Sequence, residues 1–100
     1  MAGPVTSARQ ALAQWLEHLA KERRASPRTV EAYAFAGGRY LSFLEQHRGG
    51  PLSLADMGAL APSEIRAWLA QLRQGEPPLS PRSMSQALSA IRTFHKFLDR

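Results

Sequence analysis

Apolar side chains recur along this chain at helical spacing, in four separate blocks. Ala11, Leu12, Trp15, Leu16 and Leu19 follow the three- and four-residue intervals that line one face of a helix, and predict a first helix over about Ser7–Arg24. Val30, Tyr33, Ala34, Tyr40, Leu41 and Leu44 do the same for a second helix opening at Ser26-Pro27. Ser26 suits the N-cap, and Pro27 suits the first helical position, where its missing N–H costs nothing. Gly49-Gly50-Pro51 closes that helix. Gly37 and Gly38 interrupt it at about 1 kcal/mol each relative to Ala, so a kink or a close helix–helix approach is expected there. Residues 49–62 read as a connector with one short extra turn around Leu54–Leu60. Ile65, Trp68, Leu69 and Leu72 mark a third helix from Pro62-Ser63 to Gly75, followed by a stiff Gly-Glu-Pro-Pro-Leu loop. Met84, Ala87, Leu88, Ile91, Phe94 and Leu98 mark a fourth helix opening at Ser80-Pro81. Short loops between short helices predict an all-α fold, a compact four-helix bundle forming a single domain over residues 1–100. Residues 1–6 are expected to be a flexible N-terminus.

The fourth helix carries the chemistry on its other side. Arg82, Ser85, Ser89, Arg92 and Lys96 form a stripe opposite the apolar face, with Thr93 beside it and Gln86 on its border. The stripe holds three cations and small hydroxyls, with no acid before Asp99. Such a face suits a phosphate backbone, because cations replace counterions and small hydroxyls allow close approach. The plainer reading is a solvated surface. The second helix turns Arg28, Ala32, Phe35, Ala36, Arg39 and Ser42 away from its core stripe. Its small residues permit close approach, and Phe35 is expected to pack on a neighbouring helix.

Two helix starts repeat one pattern. Ser26-Pro27-Arg28-Thr29 and Ser80-Pro81-Arg82-Ser83 each set an Arg at the second helical position and a hydroxyl at the third. A helix N-terminus offers free N–H groups and positive partial charge, so an Arg there is unfavourable unless an anion offsets it. Plain capping accounts for either start taken singly; the repetition points towards phosphate.

Charge supports an anionic partner without identifying it. The chain carries 13 Lys and Arg against 8 Asp and Glu, a net charge of +5. The excess is spread over both halves, with seven cations and four anions in residues 1–50 and six and four in residues 51–100. There is no cysteine, which removes a disulfide framework, a thiolate metal site and a Cys nucleophile, and fits a reducing compartment. His18, His47 and His95 are too widely spaced for a metal motif, and no apolar run is long enough to span a membrane. No secretory signal is visible, so a cytoplasmic location is expected, with no metal and no cofactor. Trp15, Trp68, Tyr33, Tyr40, Phe43, Phe94 and Phe97 fall at helical spacing with Leu and Ile and are read as core, with His95 as a half-buried structural residue. No nucleophile–base pair, paired carboxylates or Gly-rich phosphate loop is present, so no catalytic residue is assigned.

Taken together, these stretches resemble the tyrosine site-specific recombinases. Ser26–Tyr33 looks like the S-x-x-T-x-x-x-Y start of their second helix. Leu88–Leu98 looks like their L-S-A-h-R-x-F-x-x-F-L helix, and Leu79–Ser83 like the preceding G-L-S-x-R-T/S turn, with Pro78 where Gly often stands. The resemblance covers about residues 8–100 and is to the N-terminal core-binding, SAM-like domain of the Xer type. It implies a half-clamp that grips one face of double-stranded DNA at an inverted-repeat recombination site. A separate C-terminal domain, expected beyond Arg100, would carry the catalytic Arg, Lys, His and Tyr. Tyr33 and Tyr40 match core positions in that family, so this stretch is expected to bind DNA and cut nothing. Other recombinase protomers would be partners of the full-length protein, and no membrane would be. The process implied is site-specific recombination, as in DNA integration or chromosome dimer resolution and segregation. Arg28, Thr29, Arg82, Ser83, Ser89, Arg92 and Lys96 are the positions that the resemblance and the stripe share, and Arg39, Ser85 and Gln86 extend the same faces. The chain departs from the family where Ala36-Gly37 replace a frequent Asp-Leu pair and Gln86-Ala87 a frequent Arg. The alternative function is a helical protein–protein interaction module with a basic face, using Phe35 and Phe97 as anchors.

Overall fold

The computed structural model describes residues 6–75 and 79–99. Five helices run in order: α1 (Ala8–Lys21), α2 (Pro27–Arg48), α3 (Leu54–Gly58), α4 (Pro62–Gln74) and α5 (Pro81–Leu98). The four long helices are those the periodicity predicts, and α3 is the short turn expected in the connector. The first helix stops at Lys21, short of Arg24, whose φ of 51° lies in the left-handed region that a continuing helix cannot use. Most of the Gly75–Leu79 loop and of the N-terminus expected to be flexible lies outside the described residues. Thr6, however, is held, its carbonyl accepting from the Leu54 N–H at 3.0 Å.

Capping side chains set the helix starts. Ser7 and Ser53 each form a reciprocal capping box, with Gln10 and Asp56 respectively. Ser26 and Ser80 cap α2 and α5 in the same way as each other, each accepting the N–H three residues on at 3.1 Å, with Pro next in line. Gly49 ends α2 with φ 87°, a conformation open to glycine at little cost.

The core forms where α1, α2, α4 and α5 meet. Trp15 stacks on Tyr33 at 5.6 Å between centroids and tilts against Phe94 at 5.1 Å. Tyr40 sets its edge against Trp68 at 4.9 Å. Trp15, Trp68, Tyr40 and Phe94 are buried, and Tyr33, Phe43 and Phe97 are half-buried against them. Ala90 of α5 is also fully buried, which the apolar pattern did not single out. Tyr40 and His95 hydrogen-bond at 2.8 Å. Burial raises the phenol pKa and lowers the imidazole pKa, so both groups stay neutral and a single proton joins Tyr40 Oη to His95 Nε2.

Gly37 shows which of the two mid-helix outcomes holds. The α2 helix is continuous through it, and a Cβ there would stand 2.6 Å from Leu12 Cδ1 of α1. A Cβ on Gly38 would meet nothing within 4 Å. The pair thus serves a close approach of α1 to α2 through one glycine and not the other.

Candidate nucleic-acid interface

The ten positions singled out from the sequence are reached from α2 and α5. Arg28, Arg39, Arg82, Ser85, Gln86, Ser89, Arg92 and Lys96 are exposed, while Thr29 and Ser83 are half-buried. The stripe on α5 follows from its two-faced sequence: Ala90, Ile91 and Phe94 turn into the core, which leaves Arg82, Ser85, Ser89, Arg92 and Lys96 on the outer side. At 1.5 Å per residue it runs for about 21 Å.

Thr29 and Ser83 are fixed alike. The Ser26 hydroxyl donates to Thr29 Oγ1 at 2.9 Å, and that of Ser80 to Ser83 Oγ at 3.1 Å. Each acceptor therefore keeps its own proton for an outside partner. Neither helix has an acid in its first turn, so no side chain there offsets the Arg at the second position. Thr93 behaves differently, donating its hydroxyl to the Ser89 carbonyl at 2.8 Å and so committing it to the helix backbone.

Electrostatic pairing divides the surface. Arg9 binds Glu45 through two N–H groups at 2.8 and 3.0 Å, and a third contact reaches Ser42 Oγ at 3.0 Å. This holds the Glu45 carboxyl below its ordinary pKa. Arg48 binds Glu64 in the same forked manner at 2.9 and 3.2 Å. Lys21 pairs with Glu17, and His18 with Glu22. Among the described residues, no acid pairs with Arg28, Arg39, Arg82, Arg92 or Lys96.

The positions do not gather into one pocket. Ser83, Gln86 and Arg39 border an apolar groove of about 190 Å³ between α2, α4 and α5. Lys96 lines a different cleft, facing Arg23 just past α1, and Ser85 lines a third with Arg73 of α4. Arg23 and Arg73 are cations that the sequence pattern did not mark, because only tertiary packing brings them beside α5. Phe35 overturns the expectation that it packs on a neighbouring helix. It is 67% exposed, and the Arg39 guanidinium sits 5.5 Å from its ring centroid. Phe97, by contrast, is half-buried against His18 at 5.4 Å, which leaves it poorly placed as an anchor. Among the described residues no cluster of His, Asp or Glu has the arrangement of a metal site, and no helix is long and apolar enough to cross a membrane.

The family described as Phage integrase, N-terminal SAM-like domain matches residues 12–100. The chain belongs to this family. It is 40% identical over 87 residues to the tyrosine recombinase XerC of Rhizobium meliloti (strain 1021), covering 87% of this chain and 27% of that protein. The XerC of Nitrobacter winogradskyi is 40% identical over 91 residues, covering 91% of this chain and 28% of that protein. That of Rhodospirillum centenum is 38% identical over 87 residues, covering 87% and 24%. The chain therefore spans about a quarter of the length of these curated relatives. No solved structure matches it. Membership in the SAM-like family accords with the all-helical fold.

Proposed function

We propose that this domain binds double-stranded DNA through the outer faces of α2 and α5, as the N-terminal half-clamp of a Xer-like tyrosine recombinase. The observation that carries the reading is the exposed stripe on α5, in which Arg82, Arg92 and Lys96 lie among small hydroxyls with no described acid to pair with. Such cations suit phosphates, each replacing a condensed counterion. Arg28 with Thr29 and Arg82 with Ser83 would clamp phosphates at the two helix starts, aided by the helix dipoles. Arg39, Ser85, Gln86 and Ser89 complete the surface, with Gln86 able to reach a base edge. The whole protein would break and rejoin DNA in site-specific recombination, as in integration or chromosome dimer resolution, with other protomers bound at an inverted repeat, and would work in the cytoplasm. This domain would hold DNA and supply no catalytic group. Kinship with recombinases named XerC supports that wider role.

The test is a fluorescence-anisotropy titration of a duplex of about 30 base pairs carrying an imperfect inverted repeat, against a scrambled duplex, over a range of low salt. Low salt is needed because non-specific binding is expected near 10⁻⁴–10⁻⁶ M at physiological salt. Arg82→Ala, Arg92→Ala and Lys96→Ala should each weaken binding to both duplexes and flatten the logarithmic salt slope by about one unit. Affinity unchanged in all three variants would remove the assignment. The competing reading, a protein-interaction module, draws on the exposed Phe35. It would be favoured by a protein partner bound with no dependence on DNA.

A further inference from the structure

We infer that Phe35 reads the 5-methyl group of thymine in the major groove and gives the domain a sequence preference that its cations cannot supply. The inference rests on the DNA-binding reading above. Phosphate contacts fix position but carry no base information, and the thymine methyl is the apolar mark on a major-groove edge. An apolar side chain among cations is what such a mark requires. Phe35 is the large apolar side chain left exposed among the described residues.

Its surroundings favour DNA as the occupant. Ala32 and Ala36 lie three residues before and one after it in sequence, and they keep this side of α2 low enough for a close approach. Arg39, one turn on, lies against the ring and limits its swing. The ring borders the same apolar groove as Ser83 and Gln86 of α5, a groove that Trp68 and Leu72 of α4 close from beneath, so it stands on the side of α2 that adjoins the α5 N-terminal turn. Arg39 lines the groove, Arg82 directly precedes its lining residue Ser83, and Arg28 is exposed two turns before Phe35 on α2, with Glu31 between them in sequence. A partner that fits must be anionic yet offer an apolar group at its centre. A duplex presenting thymine does both.

The experiment compares an alternating dA/dT duplex of about 30 base pairs with the same duplex carrying deoxyuridine for thymine, at the low salt of the previous titration. The substitution removes the methyl groups and keeps the phosphates and pairing edges. The wild-type domain should bind the uracil duplex about fourfold more weakly for each methyl seated, the effect of burying one such group. Phe35→Ala should bind both duplexes equally, with the wild-type salt slope and an unchanged circular dichroism spectrum. Equal wild-type affinities on a duplex that still binds in a salt-dependent way would overturn the role of Phe35 alone, as would discrimination that survives in Phe35→Ala. Binding to neither duplex would defeat the DNA-binding reading itself, and this inference with it. If Phe35→Ala left the methyl preference intact but converted a dimer to a monomer in sedimentation, the ring would be a contact between copies of the chain.

Discussion

The arginines of this domain live in two settings. Arg9 and Arg48 are gripped by Glu45 and Glu64 in forked pairs that tie α1 to α2 and α2 to α4. Arg28, Arg39, Arg82 and Arg92 stand on the outer faces of α2 and α5, and no described carboxylate forms an ion pair with them. Both groups are surface residues of the same type, and what separates them is where the acids lie. The helices brace one another with paired charge, and α5 leaves its charge unspent. Surface pairs of this kind contribute little, so bracing adds only slightly to a fold held mainly by burial. Unpaired cations add little to the fold, and their value lies in what they meet outside it.

That contrast predicts that damage to the interior and damage to the outer face separate cleanly. The largest expected effect is that of Phe94→Ala, which removes a fully buried ring packed on Trp15. It should cost about 3–5 kcal/mol, read as a lower midpoint in urea denaturation. Arg92→Ala, two residues away in sequence, should stay within about 0.5 kcal/mol of the wild type in the same measurement. A comparable loss in Arg92→Ala would show that the outer face is structural and would erase the distinction.

The two adjacent glycines sharpen it at a single turn of α2. Gly37→Ala sets its new methyl against the Leu12 Cδ1 methyl, which must shift, so the helix-propensity gain of about 1 kcal/mol is offset by overpacking. Gly38→Ala gains the propensity with no clash and should stabilise by up to about 1 kcal/mol. A lower denaturation midpoint in Gly37→Ala than in Gly38→Ala would confirm that the inward and outward sides of α2 differ at neighbouring residues. Equal midpoints would not.

The smallest effect is in pH dependence. Burial lowers the His95 pKa in the fold, so the unfolded chain takes up this proton first as pH falls below the ordinary imidazole value of about 6.5. Stability from this group is therefore complete above that value and is lost as pH falls towards the lowered pKa. Melting temperature should drop between about pH 7 and pH 5, a range in which unperturbed carboxylates stay largely ionised. It should drop less in His95→Gln. An identical slope in the variant would mean that burial does not hold the His95 imidazole neutral.

Much of the fold was legible because its helix ends are written in local chemistry. Ser26-Pro27, Ser80-Pro81 and Gly49 act on backbone groups within a few residues, so their meaning survives without knowledge of the tertiary structure. The overrun of the first helix to Arg24 shows the limit, since nothing in its polar tail announces the left-handed turn. Ala90 was passed over because a methyl side chain is weakly apolar, and its complete burial reflects how closely α5 approaches the core. Gly37 left two possibilities open, and only the position of Leu12 separates them. On the outer face, the periodicity of α5 identified which residues share a side. It could not show that Arg23, from the turn after α1, and Arg73 of α4 join them, nor that Phe35 remains uncovered.

The short bridge between Ser7 and Ser53 also bears on how the molecule can be handled and followed in time. The Ala8 N–H donates to the Leu52 carbonyl at 2.9 Å, and the Leu54 N–H to that of Thr6 at 3.0 Å, so the chain ahead of α1 is stitched to the chain ahead of α3. Two amides distant in sequence are thereby linked by one event, the opening of this stitch. In a deuterium-exchange experiment they should lose protection together. A truncation or fusion junction placed beyond Thr6 would undo the stitch, so the point at which this domain can be trimmed is set by hydrogen bonding and not by the first turn of helix.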